Sequence, residues 1–440
     1  MKRAILAALI VISVISSLRG EDWAQFRGRG AGSIPDNPKL PERWSGTENV
    51  VWKLDVPGRG WSSPVVWGDH MFVTTVVDAT SPALAPPPGL YGATGADVPP
   101  TAPHRWMVYD IDVRTGSVRW EREVRHAAPS LPTHAKNSYA SETPVTDGER
   151  VYVYFGDVGL FAFDLTGRLV WSKSIGPYKT RFNWGTGASP VLHKGRLYMV
   201  QDNDEHSFLA AYDARTGKEL WQVDRKEGSN WSTPFVWENE RRTEIVTTGT
   251  ERVRSYDLSG KLLWEFSRMS GLTVPTPYAR HGLLYVSSGY VADDYRPVYA
   301  IRPGASGDIT LKEGETSNAF IAWSQPKLAA QMPSTLVHGD YLYTVQDRGF
   351  FACHDAKTGE EVYPRQRLDG SGFTASPWAY NGKIFAINED GDTYVIQAGR
   401  SFKVLWKNSL GEMVMATPAV SGNDLIIRTM SRLYRIGRTD

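Results

Sequence analysis

Cysteine is almost absent: Cys353 is the only one in 440 residues. A single thiol cannot close an intramolecular disulfide even in an oxidising compartment, so rigidity has to come from packing. The nine histidines form no His-x-x-x-His pair and there is no Cys-x-x-Cys, which leaves no zinc signature. Neither a Gly-x-Ser-x-Gly elbow nor a phosphate-cradling glycine loop occurs, and no spacing matches a calcium loop. Charge of one sign is also missing. The formal net charge is +1 with no long run of either sign, which argues against nucleic acid or an acidic membrane as a partner held by bulk electrostatics.

Long apolar runs are confined to the amino terminus. Lys2-Arg3 lead an apolar stretch from Ala4 to Ile15, followed by Ser16-Ser17-Leu18-Arg19-Gly20. A charged start, a short apolar stretch and a small-residue exit describe a secretory signal over residues 1–20, and the run falls short of the ~20 residues of a membrane span. The expectation is an exported chain, in the periplasm, the cell envelope or the medium, with an uncleaved membrane anchor as the competing reading of the same segment.

What the chain has in quantity is a repeated sentence. Its fullest copy is Ala211-Tyr212-Asp213-Ala214-Arg215-Thr216-Gly217-Lys218-Glu219-Leu220-Trp221. Asp213 can accept from turn amides and Gly217 can take positive φ at no steric cost, with strand-like apolar segments on either side. Other copies run from Asp112 to Trp120, Asp164 to Trp171, Asp257 to Trp264 and Asp355 to Tyr363. A second marker precedes each copy, a small hydroxyl residue followed by proline: Ser63, Thr143, Ser189, Thr233, Thr276, Ser376 and Thr417 each stand before one. Proline is tolerated at the first residue of a strand, so each pair marks a strand start.

Ser334-Thr335-Leu336 fills the remaining slot without its proline. There are then eight strand starts and eight large anchors: Trp52, Trp120, Trp171, Trp221, Trp264, Trp323, Tyr363 and Trp406. Intervals of about 41 to 46 residues where no insertion intervenes fit a four-stranded propeller blade. The reading is an all-β, eight-bladed β-propeller over residues 50–440, after an N-terminal extension at 21–49. The segment around Trp52 has no preceding inner strands and the carboxy-terminal strands have no closing tryptophan, so the two ends are expected to share the eighth blade and close the ring.

Two insertions interrupt the rhythm. Residues 78–103, with seven prolines and three glycines, lie between the second and third strands of blade 1, and residues 303–319 lengthen blade 5. Pro/Gly-rich insertions on a rigid scaffold are loops and sometimes lids, and the first is expected to be a mobile loop.

Just before the inner strands, at the mouth of the expected axial funnel, stand Trp61, Asn137, Tyr139, Arg181, Asn183, Trp184, Asn230, Trp231, Gln331 and Phe373. Aromatic rings for stacking interleaved with amides for orientation suit a planar or sugar-like polar ligand, although packing alone can also place them there. The available side-chain oxygens are Glu142, Asp202, Asn203, Asp204, Glu205, Asp293, Asp294, Asp347, Asn388, Glu389 and Asp390, mostly at the ends of second strands. Asp202, Asp204 and Glu205 form the densest group, readable as a weak metal site or as a solvated hairpin turn. His126 and His134 are expected in an exposed loop between blades 1 and 2.

The repeated Ala-x-Asp-x-x-Thr-Gly-x-x-x-Trp sentence resembles the tryptophan-docking repeat of the pyrroloquinoline quinone-like β-propeller superfamily, and the Trp23-Ala24-Gln25-Phe26-Arg27-Gly28 start resembles that of many exported members. The resemblance implies that each tryptophan packs across to the next blade. For activity it implies two branches: quinoprotein alcohol dehydrogenases, which bind quinone and calcium at the axis, and a non-catalytic scaffold of the outer-membrane β-barrel assembly machinery. Those dehydrogenases commonly stack the quinone against a disulfide of adjacent cysteines, which one cysteine cannot supply. The expected function is therefore an exported, non-enzymatic, monomeric scaffold that binds a protein or small polar ligand on one face, associated with the envelope and needing no cofactor. The alternatives are a dehydrogenase of alcohols or sugars using pyrroloquinoline quinone with calcium, and a polysaccharide-binding or lytic protein.

Overall fold

The computed structural model describes residues 23–78, 80, 86–89, 95–250 and 252–438. The signal-like segment therefore lies outside the described residues. Eight sheets, each holding an antiparallel four-stranded blade, make the ring; in seven the strands step outward from the axis in chain order, and in the eighth the outermost strand comes from the N-terminal side. Second strands such as Arg150–Phe155 are buried at every position but the first, since neighbouring blades cover both faces. Outer strands such as Glu219–Asp224 are largely exposed.

Ring closure follows the expectation. The outer strand Val50–Asp55 pairs antiparallel with Arg432–Ile436, with Lys53 opposite Tyr434 and Leu54 opposite Leu433. The last blade is thus knitted from both ends of the chain, and no blade edge at the junction is left unpaired.

The hydroxyl of each Ser/Thr-Pro marker has a role beyond starting a strand. The amide of Ser63 donates to Thr143 Oγ1 at 3.0 Å, that of Thr143 to Ser189 Oγ at 2.9 Å, and that of Ser189 to Thr233 Oγ1 at 3.0 Å. The chain of bonds continues from Thr276 to Ser334, Ser334 to Ser376 and Ser376 to Thr417, each at 3.0 Å. A small hydroxyl at this position caps an amide that would otherwise be buried without a partner where the blades converge.

On the outside, the repeat explains itself as a clasp. The indole N–H of Trp52, Trp120, Trp171, Trp221 and Trp323 donates to a carbonyl in the turn of the following blade, at 2.8 to 3.1 Å. The glycine of that turn lies against the ring.

Three anchors depart from this pattern because the following turn is altered. Blade 5 has the 303–319 insertion instead of the turn, so Trp264 donates to Glu244 Oε2 of its own blade at 2.6 Å. Ala305, Ile309 and Leu311 of the insertion pack over that cluster, and Gly307–Asp308 adds a parallel strand to the edge of blade 4. Tyr363 meets Phe402 instead of a glycine. Trp406 faces the chain junction, where the N-terminal extension stands in: its N–H donates to Glu42 O at 2.8 Å, and the Arg43 guanidinium sits 4.1 Å from the ring centroid.

The extension itself crosses the bottom of the axis. Trp23 bridges Val66 of blade 1, Ala24 O accepts from Thr146 of blade 2, Arg27 reaches Thr335 O of blade 6, and Ile34 N donates to Ala379 O of blade 7.

Candidate functional site

The loops that enter the inner strands converge at the top of the axis around a cavity of about 190 Å³. Of the residues expected there, Trp61, Asn137, Trp184, Trp231 and Gln331 line it. Each is held by a backbone carbonyl or amide. Trp61 Nε1 donates to Lys136 O at 2.7 Å and Trp231 Nε1 to Gly185 O at 2.6 Å. Asn137 Nδ2 bridges Trp184 O and Thr186 O at 2.7 and 2.9 Å. Trp184 and Trp231 lie 5.4 Å apart between ring centroids, forming an aromatic wall.

The other five do not line the cavity. Phe373 is fully buried in the core between blades 6 and 7. Tyr139 packs against His104 and Trp106 and donates its hydroxyl to Leu131 O. Asn230 is buried against Asp202. Arg181 and Asn183 lie in a 3-10 turn beyond the lining, where Asn183 Nδ2 donates to Ala96 O of the 78–103 insertion.

Sequence reasoning missed several groups. Phe26 rises into the cavity from below, and Met332 and Met415 contribute to the lining. His134, expected in an exposed loop, is 8% exposed and lines the cavity edge-on to Trp184, because its Nδ1 accepts from the Lys136 amide at 3.0 Å. Lys136 crosses to blade 7, where Nζ meets Glu389 Oε1 at 2.6 Å with both side chains buried. Burial pushes the Glu389 carboxyl up, but Lys136 and the hydrogen bonds from Thr374 and Gly89 outweigh it and hold it below its ordinary range. Burial also lowers the Lys136 ammonium, partly offset by Glu389.

The described parts of the 78–103 insertion are tied down. Gly89 N donates to Glu389 Oε2 at 2.7 Å on blade 7. Gly95 N donates to Phe182 O on blade 3, and Ala96 N to Thr133 O. Blades 3 and 7 are opposite in an eight-blade ring, so the described parts of the insertion are bonded to both sides of the funnel mouth.

The acids form a set of ties behind the lining. Asp347 accepts from the amides of Gln331 and Met332 at 2.7 and 2.8 Å, and burial pushes its carboxyl up to about 6. Glu142, fully buried, accepts from the Thr186 hydroxyl and is pushed up to about 7 by burial. Asp202 forms a two-pronged ion pair with Arg225 at 2.8 and 2.9 Å and accepts from Asn230. Asp204 accepts from Ser229 and Glu205 from the Lys179 amide. The densest acidic group is therefore neither a solvated turn at Asp202 nor a shared cage: Asp202 and Asp204 hold the 225–230 segment, and Glu205 holds Lys179.

An eight-bladed ring with docked tryptophans and a capped axial cavity defines a pyrroloquinoline quinone-like β-propeller. The family model described as outer membrane protein assembly factor BamB matches residues 44–181 and 160–303, more than half of the chain, and the chain belongs to that family. Among curated proteins it is 24% identical over 297 residues to polyvinylalcohol dehydrogenase of a Pseudomonas species, a match over 54% of this chain and 40% of that protein. It is 31% identical over 135 residues to 1-butanol dehydrogenase (quinone) of Thauera butanivorans, over 28% of this chain and 20% of that one. The matches thus span less than half of these relatives. Among solved structures, the quinohemoprotein alcohol dehydrogenase of Comamonas testosteroni aligns over 95% of this chain and 80% of its own, with TM-score 0.57 and 11% identity. The computationally designed Ika8 protein aligns over 80% of this chain and all of its own, with TM-score 0.53 and 13% identity. These two likenesses concern the fold.

Calcium takes six to eight oxygen ligands, commonly including carboxylates. No Asp or Glu is among the described residues lining the cavity. Among the described residues there is likewise no group of three or more His, Cys, Asp or Glu side chains placed to share a metal ion. The donor set does not fit a calcium–quinone cage.

Proposed function

We propose that this protein is an exported, non-enzymatic binding propeller that takes a small planar ligand with polar edges into its axial cavity and acts as a single copy at the cell envelope. The observation that carries this reading is the lining itself: three tryptophans and a ring of hydroxyls and amides, with the nearby acids engaged behind it. Rings supply stacking area and fixed amides supply orientation, while a carboxylate base beside the ligand is missing from the described lining. Membership of a family described as an outer membrane assembly factor supports the envelope setting and a protein partner on the outer surface.

A quinone-dependent alcohol oxidoreductase is the second reading, favoured by the names of the curated relatives and by the paired Trp184 and Trp231 rings. Protein incubated with the quinone and calcium separates the two. The binding reading expects no dye-linked oxidation of alcohols or sugars above the protein-free control, with quenching of tryptophan fluorescence by a bound planar ligand and loss of that quenching in Trp184→Ala. Saturable turnover overturns it.

A further inference from the structure

Where the N-terminal extension crosses beneath the axis it covers the inner strands unevenly. Blades 1, 2, 5, 6 and 7 share backbone or side-chain hydrogen bonds with it, that of blade 5 from Arg280 Nη2 to Ser33 Oγ at 3.3 Å, whereas the inner strands of blades 3 and 4 face it across a gap. That gap is a second cavity, of about 140 Å³. One wall is apolar, from Val191, Leu192, Phe235 and Val236. The other is the extension, and it carries Arg27 and Arg29.

Arg27 is 2% exposed. Its Nη2 donates to Thr335 O at 2.7 Å, and the guanidinium lies 5.3 Å from the Tyr278 ring centroid. Among the described residues, Nε and Nη1 have no hydrogen-bond partner and no carboxylate pairs with the group. Burial lowers it to about 10, so it stays cationic at neutral pH. A desolvated cation with open donors is among the costliest arrangements in a protein interior, and buried arginines are normally met by carboxylate or phosphate. The second strand of explanation, packing alone, accounts for the stacking on Tyr278 but not for the open donors beside a cavity.

We propose that this lower cavity is an anion-binding site, in which Arg27 takes the charged group of a small carboxylate or oxyanion and the inner-strand wall of blades 3 and 4 takes whatever apolar body it carries. Arg29, exposed at the entrance, adds a second positive charge. The site adjoins the axial cavity above, with Phe26, Thr233 and Thr276 lining both, while the two arginines line the lower one alone.

Calorimetric titration of the full chain with sodium phosphate, acetate and benzoate at constant ionic strength tests the idea. The expected result is one-to-one saturable binding of at least one of them, weakened at least tenfold by Arg27→Met and a few-fold by Arg29→Gln. Benzoate binding more tightly than acetate assigns an organic acid that uses the apolar wall, and phosphate binding alone assigns an inorganic oxyanion. Should Arg27→Met not fold, Val236→Trp fills the cavity from the opposite wall and is expected to lose the same binding. No saturable binding to the unaltered protein, or equal affinity in a folded Arg27→Met or Val236→Trp protein, overturns the proposal.

Discussion

Gly217, at φ +71°, lies against the face of Trp171 so closely that a Cβ built on it would fall 2.7 Å from the ring. One residue thus meets two demands, a left-handed turn within its own blade and room for the anchor of the preceding one. Gly195 has a similar φ of +74° but nothing within 4 Å of its would-be Cβ. Gly195→Ala is therefore expected to lose only the left-handed backbone cost, about 1–2 kcal/mol. Gly217→Ala is expected to lose roughly 1–3 kcal/mol more, as overpacking against a ring does. Urea midpoints of the two variants check the difference, and equal losses would remove the clasp as the reason for the repeated glycine.

The anchors themselves should not be equal. Trp264 is fully buried and donates to Glu244, so Trp264→Ala is expected to cost about 3–5 kcal/mol, the range of large aromatic truncations in cores. Tyr363→Ala should cost less. Tyr363 faces Phe402 instead of a docking turn, and it is 9% exposed where Trp264 is fully buried. A melting temperature for Tyr363→Ala at or below that of Trp264→Ala contradicts this order.

The ring was legible in the sequence because it is written in residues that repeat at a fixed period. Asp, Thr-Gly and Trp do local work in every blade, so their spacing alone locates turn and anchor. The hydroxyl ring was half legible: Ser and Thr before proline were visible, but that Ser63 reaches Thr143 depends on two blades meeting at the axis. The funnel was legible in part: Trp61, Asn137, Trp184, Trp231 and Gln331 line it, but the carbonyls that hold Trp61 and Trp231 come from other connections, which the sequence does not pair with them. Lys136 and Glu389 are 253 residues apart, Glu389 near the end of a second strand and Lys136 in the connection between blades 1 and 2, so nothing in the order of residues pairs them. Arg27 in the extension was read as part of a family-like start, with no sign that a whole propeller would bury it.

The Lys136–Glu389 pair joins the blade 1–2 connection to blade 7 across the funnel, and Glu389 also accepts from the 78–103 insertion. Removing one partner strands the other charge in a buried site. Lys136→Met is expected to cost about 3–5 kcal/mol, as single removals from buried pairs do, and Lys136→Met with Glu389→Leu less than the single change. Limited proteolysis should also cut the insertion faster in Glu389→Leu, since Gly89 loses its acceptor. Cleavage at the parent rate would show that this hydrogen bond does not hold the insertion in place.

Glu142 makes stability depend on pH in a direction opposite to that of most carboxylates. Burial raises its folded pKa from 4.5 to about 7, so the native state favours the protonated form. Its favourable contribution is complete below about pH 4.5 and is lost as pH rises towards 7, because the unfolded chain releases the proton at the lower pH. Glu142→Gln keeps a neutral group that can still accept from Thr186 and removes the titration. The stability of the parent relative to this variant is expected to fall by roughly 3 kcal/mol between those pH values and to level off above them, at 1.36 kcal/mol per unit of pKa shift. Urea unfolding of both proteins at pH 4.5, 6 and 8 measures the difference. A difference that stays constant across the three would mean that Glu142 ionises in the native protein as it does in water, and that the layer behind the axial lining is far wetter than its packing implies.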